Sequence, residues 1–359
     1  MTEFVSGTRS VGMVSRRGAL KLGATATGAT LLPRFIGQVG QAFADDKPAL
    51  GTWPAGSQGD SVTIGATVPR TGTYAVQGED ELKGMQLAVE HLNEGHDLIR
   101  QIAPKVTKGV LGKKVVLVVA DSAAKPNNAV QEQQTFINDN KIIAMTGSTS
   151  SAVAVALNKF AEREKILYLV AISGSNDTTG KDCARYSFRQ CFYGETAANA
   201  IGPVLLKNFG KGKKAAFMTP DYTYGHTVTK SVNDYLTSQG GWTQVTDQVS
   251  PLGTQDFSQY LTNIANSGAE FIINVNWGRD AVLSVQQAKQ FGLTPKMKMV
   301  IPYQIPFLAK EAGPDLMEGV YAATDFWWTL EDKYPLAKMF VEAFDKKFGY
   351  KPEWGANNS

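Results

Sequence analysis

Short runs of apolar, mostly β-branched residues alternate with longer stretches in which apolar residues recur every three to four positions. The runs predict strands at Val62–Thr67, Lys114–Ala120, Ile142–Thr146 and Ile166–Ala171. Between them the helical period predicts helices over Lys83–Leu92, Asn128–Asn138 and Ala152–Arg163. Val115–Val119 and Ile142–Met145 are apolar throughout, as expected of strands covered by helices on both faces of a parallel sheet. This is the pattern of a doubly wound α/β lobe.

Beyond Cys191 the alternation starts again. Helices are expected at Thr196–Asn208, His226–Ser238, Ser258–Asn266 and Ala281–Gln290, and strands at Ala215–Met218, Thr243–Val249, Glu270–Val275 and Met297–Ile301. The chain is therefore read as two doubly wound α/β lobes joined by a multi-strand hinge. Tyr186–Tyr193 and Val320–Trp328 lie between the sets and are the expected crossings, after which a helix at Pro335–Lys347 returns to the first lobe. The resulting division is an export signal over 1–44, an irregular lead-in over 45–61, a first lobe over 62–188 plus 329–359, and a second lobe over 189–328.

Composition agrees with a folded chain: 359 residues with 43% hydrophobic and 19% charged content are enough for one large or two medium cores. The formal charge of +3 is concentrated at the start, where the first 44 residues hold five basic side chains and one acid. Without them the charge is about −1, which offers no general attraction to nucleic acid or anionic lipid. In the same segment Arg16-Arg17 precede a mildly apolar stretch, Leu22–Leu32, and then Ala42-Phe43-Ala44, the order of a cleavable export signal. The paired arginines with Leu20 and Lys21 resemble a twin-arginine signal, which places the mature chain outside the cytoplasm after cleavage behind Ala44.

Ligands of open parallel sheets sit at the carboxyl ends of the strands, where polar loops feed helix N-termini. The loops Pro69–Tyr74, Gly147–Ser151, Ser173–Asp177 and Pro220–Gly225 fit that description. Ser150 and Ser151 stand where a helix begins; either they cap it or their hydroxyls and the adjacent amides hold an oxyanion, with Ser175 supplying a hydroxyl from the neighbouring loop. Tyr74, Tyr224, Trp277 and Tyr303, at other strand ends, form a candidate pocket wall. The signatures G-x-G-x-x-G after a strand, G-x-x-x-x-G-K-[ST], G-x-S-x-G and H-E-x-x-H are missing, so no enzymatic activity, cofactor or metal is expected. Cys183 and Cys191 are a disulfide candidate whose short loop would gain roughly 2–3 kcal/mol on closure; two free thiols are the alternative.

A series of local features runs in order from Val62 to Lys351: Ile64-Gly65 with Thr71-Gly72; Gly84 with Ala88-Val89 and Asn93; Asp121 with Pro126, Ala129 and Val130; Gly147–Ala152; Gly180–Cys183; Asp221–Gly225; and Thr254–Ser258. This series resembles the periplasmic solute-binding proteins of ABC importers, of the branched-chain amino acid (leucine/isoleucine/valine-binding) type. The resemblance implies a type I periplasmic binding protein fold and a small-molecule solute held between the lobes. It also implies delivery to an ABC permease in the membrane by a monomer that has no nucleic-acid partner. In its terms Ser150 and Ser175, with Ser151 beside them, take the solute's carboxylate, and Tyr74 and Gln77 occupy the first-loop ligand position. Tyr224 is the second-lobe aromatic and Trp277 the pocket wall.

Where amino acid binders of the family carry an acid for the ligand's ammonium, this chain has Tyr303 beside Gln304. An aromatic acid, another carboxylate or an amide-type solute is then as compatible as an amino acid. An exported sensing domain for a receptor is the alternative function. The family pattern also continues past Trp354 with further helices, so an uncovered apolar face is expected on the first lobe.

Overall fold

Ser61–Val68 (β1) and Lys114–Asp121 (β2) open a five-stranded parallel sheet, completed by Ala144–Gly147 (β3), Leu167–Val170 (β4) and Ser187–Arg189 (β5) in the order β2-β1-β3-β4-β5. In register, Ile64 stands between Leu117 and Ala144. The computed structural model describes residues 56–294, 296–303 and 306–359, which fall within one compact unit of the chain. The expected export signal, the lead-in before residue 56, and Gln304 lie outside the described residues.

The second sheet, again all parallel, has the order β10-β9-β8-β6-β7. Its strands are Lys214–Pro220 (β6), Thr243–Ser250 (β7), Phe271–Asn274 (β8), Lys298–Ile301 (β9) and Tyr321–Ala322 (β10). Every residue of β8 is buried, and so is every residue of β6 after Lys214, as central strands between two helical layers must be. Two parallel α/β lobes of the type I periplasmic binding protein fold result. The chain passes from the first to the second after Arg189 and returns after Ala322.

Both expected crossings are shorter than the sequence suggests. Tyr186–Tyr193 includes β5, which pairs with β4, and Val320–Trp328 includes β10, which pairs with β9. Each lobe thus adds one more parallel strand before releasing the chain, because an extended apolar segment leaving a sheet pairs with the exposed edge.

The helices in chain order are Ala75–Glu94 (α1), Asp97–Ile102 (α2), Pro126–Thr135 (α3), Ser151–Glu164 (α4), Gly194–Phe209 (α5), Thr223–Gly240 (α6), Ser258–Ala265 (α7), Arg279–Gln290 (α8), Pro306–Ala312 (α9), Pro314–Met317 (α10), Pro335–Phe348 (α11) and Trp354–Asn357 (α12). The first begins eight residues before the apolar period announces it. Its opening turns bury Gln77, Asp80 and Glu81, so polar residues occupy positions where periodicity expects apolar ones. The return helix α11 lies on α1, burying Phe344 with Leu87 and placing Lys347 on Glu90. Along β4 and β5, Leu167, Leu169 and Phe188 are exposed.

One apolar cluster runs from Ala66, Val68, Tyr74, Leu82 and Met85 of the first lobe into the core of the second. A separate cluster under α3 and α4 belongs to the first lobe alone. The lobes therefore meet across packed side chains at the carboxyl ends of their strands.

Candidate functional site

The loop after β3 carries the hydroxyls singled out in the sequence. Ser150 occupies the position just before α4 with extended backbone, yet its side chain makes no capping bond. Its Oγ is buried and has no hydrogen-bond partner among the described residues. Ser151 does something else: its Oγ accepts the N–H of Ser175 at 3.1 Å and so ties neighbouring loops together. Ser175 caps the following short turn, accepting from Asp177 N–H at 3.1 Å, and reaches into the second lobe through a 2.7 Å hydroxyl contact with Thr223. Of the three serines, Ser150 alone keeps a free hydroxyl.

On α1, Gln77 lies one turn before Glu81, so both side chains share a face of the helix. Both side-chain atoms of the Gln77 amide and Oε1 of Glu81 are buried without partners among the described residues. The other Glu81 oxygen accepts from Thr149 at 2.6 Å, which places this carboxyl directly beside the Ser150 loop. Burial pushes the Glu81 carboxyl up to about 8, against the opposing Thr149 hydrogen bond. Sequence reasoning passed over Glu81, for which only its spacing from Gln77 was available as a signal.

The aromatic residues converge. The Tyr74 hydroxyl donates to that of Tyr222 in the second lobe at 2.8 Å, and its ring meets Trp277 edge-on with centroids 5.2 Å apart. Gly278 makes that approach feasible: its φ is +60°, and a Cβ there would stand 2.6 Å from the Tyr74 ring. Trp277 Nε1 is another buried donor without a partner among the described residues. Tyr224 is buried against Gly174 beside Phe192, while Tyr303 stacks on Phe192 with centroids 3.4 Å apart and donates its hydroxyl to Asp325. Burial raises the hydroxyl pKa of Tyr74, Tyr222, Tyr224 and Tyr303. Each is therefore a neutral hydrogen-bonding group at ordinary pH.

Tyr222, Phe192 and Trp354 also belong to this cluster and were not among the expected residues. Tyr222 was visible inside the Asp221–Gly225 loop, whereas Trp354 sits in a four-residue helix with no period of its own. In the second lobe Asp280 has a similar character: Oδ2 accepts from Gly253 N–H at 2.8 Å, Oδ1 is unpartnered among the described residues, and burial lifts the carboxyl to about 6.

The disulfide expectation is corrected. Cys191 is buried, its thiol directed at the Ser173 carbonyl, while Cys183 is exposed and both are free. The extended run of β5 stands between them and holds the two thiols apart. Among the described residues no group of three or more His, Cys, Asp or Glu side chains is placed to hold a metal ion, and no helix is long and apolar enough to cross a membrane.

Two parallel-sheet lobes whose strand ends face each other across buried polar and aromatic side chains define the class of two-lobed binding proteins. The chain belongs to the periplasmic binding protein family, whose pattern matches residues 61–358. It is 27% identical over 304 residues to Leu/Ile/Val-binding protein homolog 7 of Brucella abortus (strain 2308), covering 82% of this chain and 72% of that one. Among solved structures it resembles an amino acid ABC transporter substrate-binding protein from Pseudomonas fluorescens Pf-5, with a TM-score of 0.71 and 24% identity over 84% of this chain and 76% of the other. It also resembles an ABC transporter solute-binding protein from R. palustris in complex with benzoate, with a TM-score of 0.68 and 22% identity over 82% and 76%. The likeness to these two structures is one of fold.

Proposed function

We propose that the chain is the extracytoplasmic solute-binding component of an ABC transporter, capturing a small carboxylate or amide-type solute between its lobes and presenting it to a membrane permease. One observation carries the reading. The unpartnered buried groups come from both lobes: Ser150 Oγ, the Gln77 amide and Glu81 Oε1 from the first, and Trp277 Nε1 from the second. A buried polar group left unpaired costs about 1–3 kcal/mol, which a bound partner can return. A solute that pairs with them recovers that cost only when the lobes are together, so its binding favours the closed arrangement.

The set is mixed in character. Ser150 and the Gln77 amide nitrogen donate to a carboxylate or carbonyl oxygen, as do Trp277 and the Glu81 carboxyl while it holds its proton, and Gln77 Oε1 accepts from N–H or O–H. The aromatic wall of Tyr74, Tyr224, Trp277 and Tyr303 supplies apolar area around them. The name of the Brucella relative and the benzoate-bound neighbour support amino acid and aromatic acid solutes alike. Export by the twin-arginine route with cleavage after Ala44, and action as a monomer, complete the proposal.

Titration calorimetry of the purified chain with L-leucine, L-phenylalanine, benzoate and short amides tests it. Saturable binding of one of them, weakened in Ser150→Ala and Gln77→Ala variants of unchanged melting temperature, is expected. Binding that ignores both substitutions would overturn the assignment of the site.

A further inference from the structure

Helix α12 is fastened to one lobe and inserts a side chain into the other. Asp80 of α1 holds it: one carboxylate oxygen accepts the N–H of Ala356 at 2.8 Å and the other the Tyr350 hydroxyl at 3.0 Å. The backbone of α12 lies directly on α1 because residue 84 is glycine, where a Cβ would stand 2.3 Å from the Ala356 carbonyl oxygen. A Cβ on Gly355 would lie 3.6 Å from the main-chain oxygen of Gln77, so the tail touches the candidate ligand helix itself.

From this anchor the indole of Trp354, 1% exposed, meets three other rings. Centroid distances are 5.1 Å to Phe192, 5.6 Å to Trp277 and 5.1 Å to Tyr303. Trp277 continues to Tyr74. The aromatic cluster therefore has Trp354 at its middle, and the size of that one side chain sets how far Trp277 and Tyr303 stand apart. Ring pairs at these separations are selective for shape, since offset and edge-to-face arrangements tolerate little displacement.

We propose that Trp354 is a specificity-determining residue of the solute pocket and that Asp80 is the positioning residue that holds it there. The proposal rests on the reading of Trp277 and Tyr303 as pocket wall. Replacing the indole by a smaller ring leaves the polar contacts in place and changes the room beside them, so it alters which solute binds best.

The test compares the full chain with Trp354→Phe, Asp80→Asn and Ser150→Ala, and with Trp242→Phe as a control, since Trp242 is buried against Phe271 in the second lobe. Dissociation constants are measured for L-leucine, L-phenylalanine, benzoate and cyclohexanecarboxylate, spanning aliphatic and aromatic shapes of each head group. In W354F and D80N the ratio of affinities between aliphatic and aromatic members is expected to move by about ten-fold. In S150A all affinities fall together, and W242F leaves the ratio unchanged. Ratios within about two-fold of the parent in a folded W354F, with S150A still weakened, overturn the role of Trp354 and leave the pocket reading intact. No binding of any probe by the parent chain overturns both.

A second measurement covers a W354F that does not fold. In the parent chain labelled with 5-fluorotryptophan, the Trp354 resonance is assigned by elimination from Trp→Phe changes at the other five of the six tryptophans and followed on solute addition. A shift is expected, and a resonance indifferent to saturating solute overturns the proposal.

Discussion

Ser175 of the first lobe and Thr223 of the second share a hydroxyl–hydroxyl hydrogen bond of 2.7 Å, and the Thr223 hydroxyl donates a hydrogen bond to Asp177 at the same distance. The N-terminus of α6 is thus pinned to the loop that follows β4. Ser175, expected to grip the solute, also bonds the opposite lobe. Thr223→Val removes the contact at nearly constant volume. We expect it to open the unliganded protein, seen as a larger radius of gyration in solution scattering, and to weaken solute binding by roughly 0.5–1.5 kcal/mol.

Ser150→Ala separates binding from stability. Because the hydroxyl is buried without a partner among the described residues, its removal is expected to leave the melting temperature of the free protein unchanged or slightly raised. Solute affinity measured by calorimetry should drop by roughly 1–3 kcal/mol, the value of a hydrogen bond to a charged group. A lower melting temperature with intact affinity would return Ser150 to a capping role.

Glu81 makes stability depend on pH. Its ordinary value is 4.5 and burial pushes it up to about 8, so between these limits the folded protein holds a proton that the unfolded chain has lost. The stability this group contributes is complete below the ordinary carboxylate range and is lost as pH rises through about 8. Glu81→Gln is expected to flatten the fall in melting temperature between pH 5 and 8. It should exceed the parent by roughly 1–3 kcal/mol in denaturant titrations at pH 8. An unaltered pH profile contradicts the assignment.

The two thiols should differ sharply in reactivity. Cys183 is exposed, whereas burial pushes the Cys191 thiol up to about 12. A chromogenic disulfide reagent is expected to titrate a single thiol rapidly in the native protein and the second only after unfolding. Failure to react at all without reductant would mean the pair is bridged.

Gly84→Ala probes the seat of α12. With the Ala356 oxygen 2.3 Å from the position of a new Cβ, either helix must shift. Overpacking of this kind costs roughly 1–3 kcal/mol, and in chemical denaturation the loss should be shared by Asp80→Ala, which frees the same segment. If the two losses simply add, the contacts are independent.

Much of the architecture was legible in the amino-acid pattern because parallel strands buried on both faces must be apolar throughout: β6 and β8 announce themselves in this way, whereas β2, equally apolar in sequence, is an edge strand and only half-buried beyond Val115. The start of α1 did not, since Gln77, Asp80 and Glu81 are buried polar residues and break the apolar period wherever they are put to use. The candidate site was half legible. Hydroxyls at a strand end mark Ser150, Ser151 and Ser175 alike, and only their orientation separates the free one from the two engaged in holding loops and lobes. Trp354 gave no local signal because its position is set by Asp80, whose partner Ala356 lies 276 residues further along the chain.

That same span governs the order of events in folding. Tyr74 finds Tyr222 across 148 residues, and α12 seats on α1 through a contact spanning 276 residues. Such distant closures come late, after local segments have formed. On the proposed reading of the site, a partly refolded chain with both sheets assembled but α12 undocked would show native-like circular dichroism while failing to bind solute.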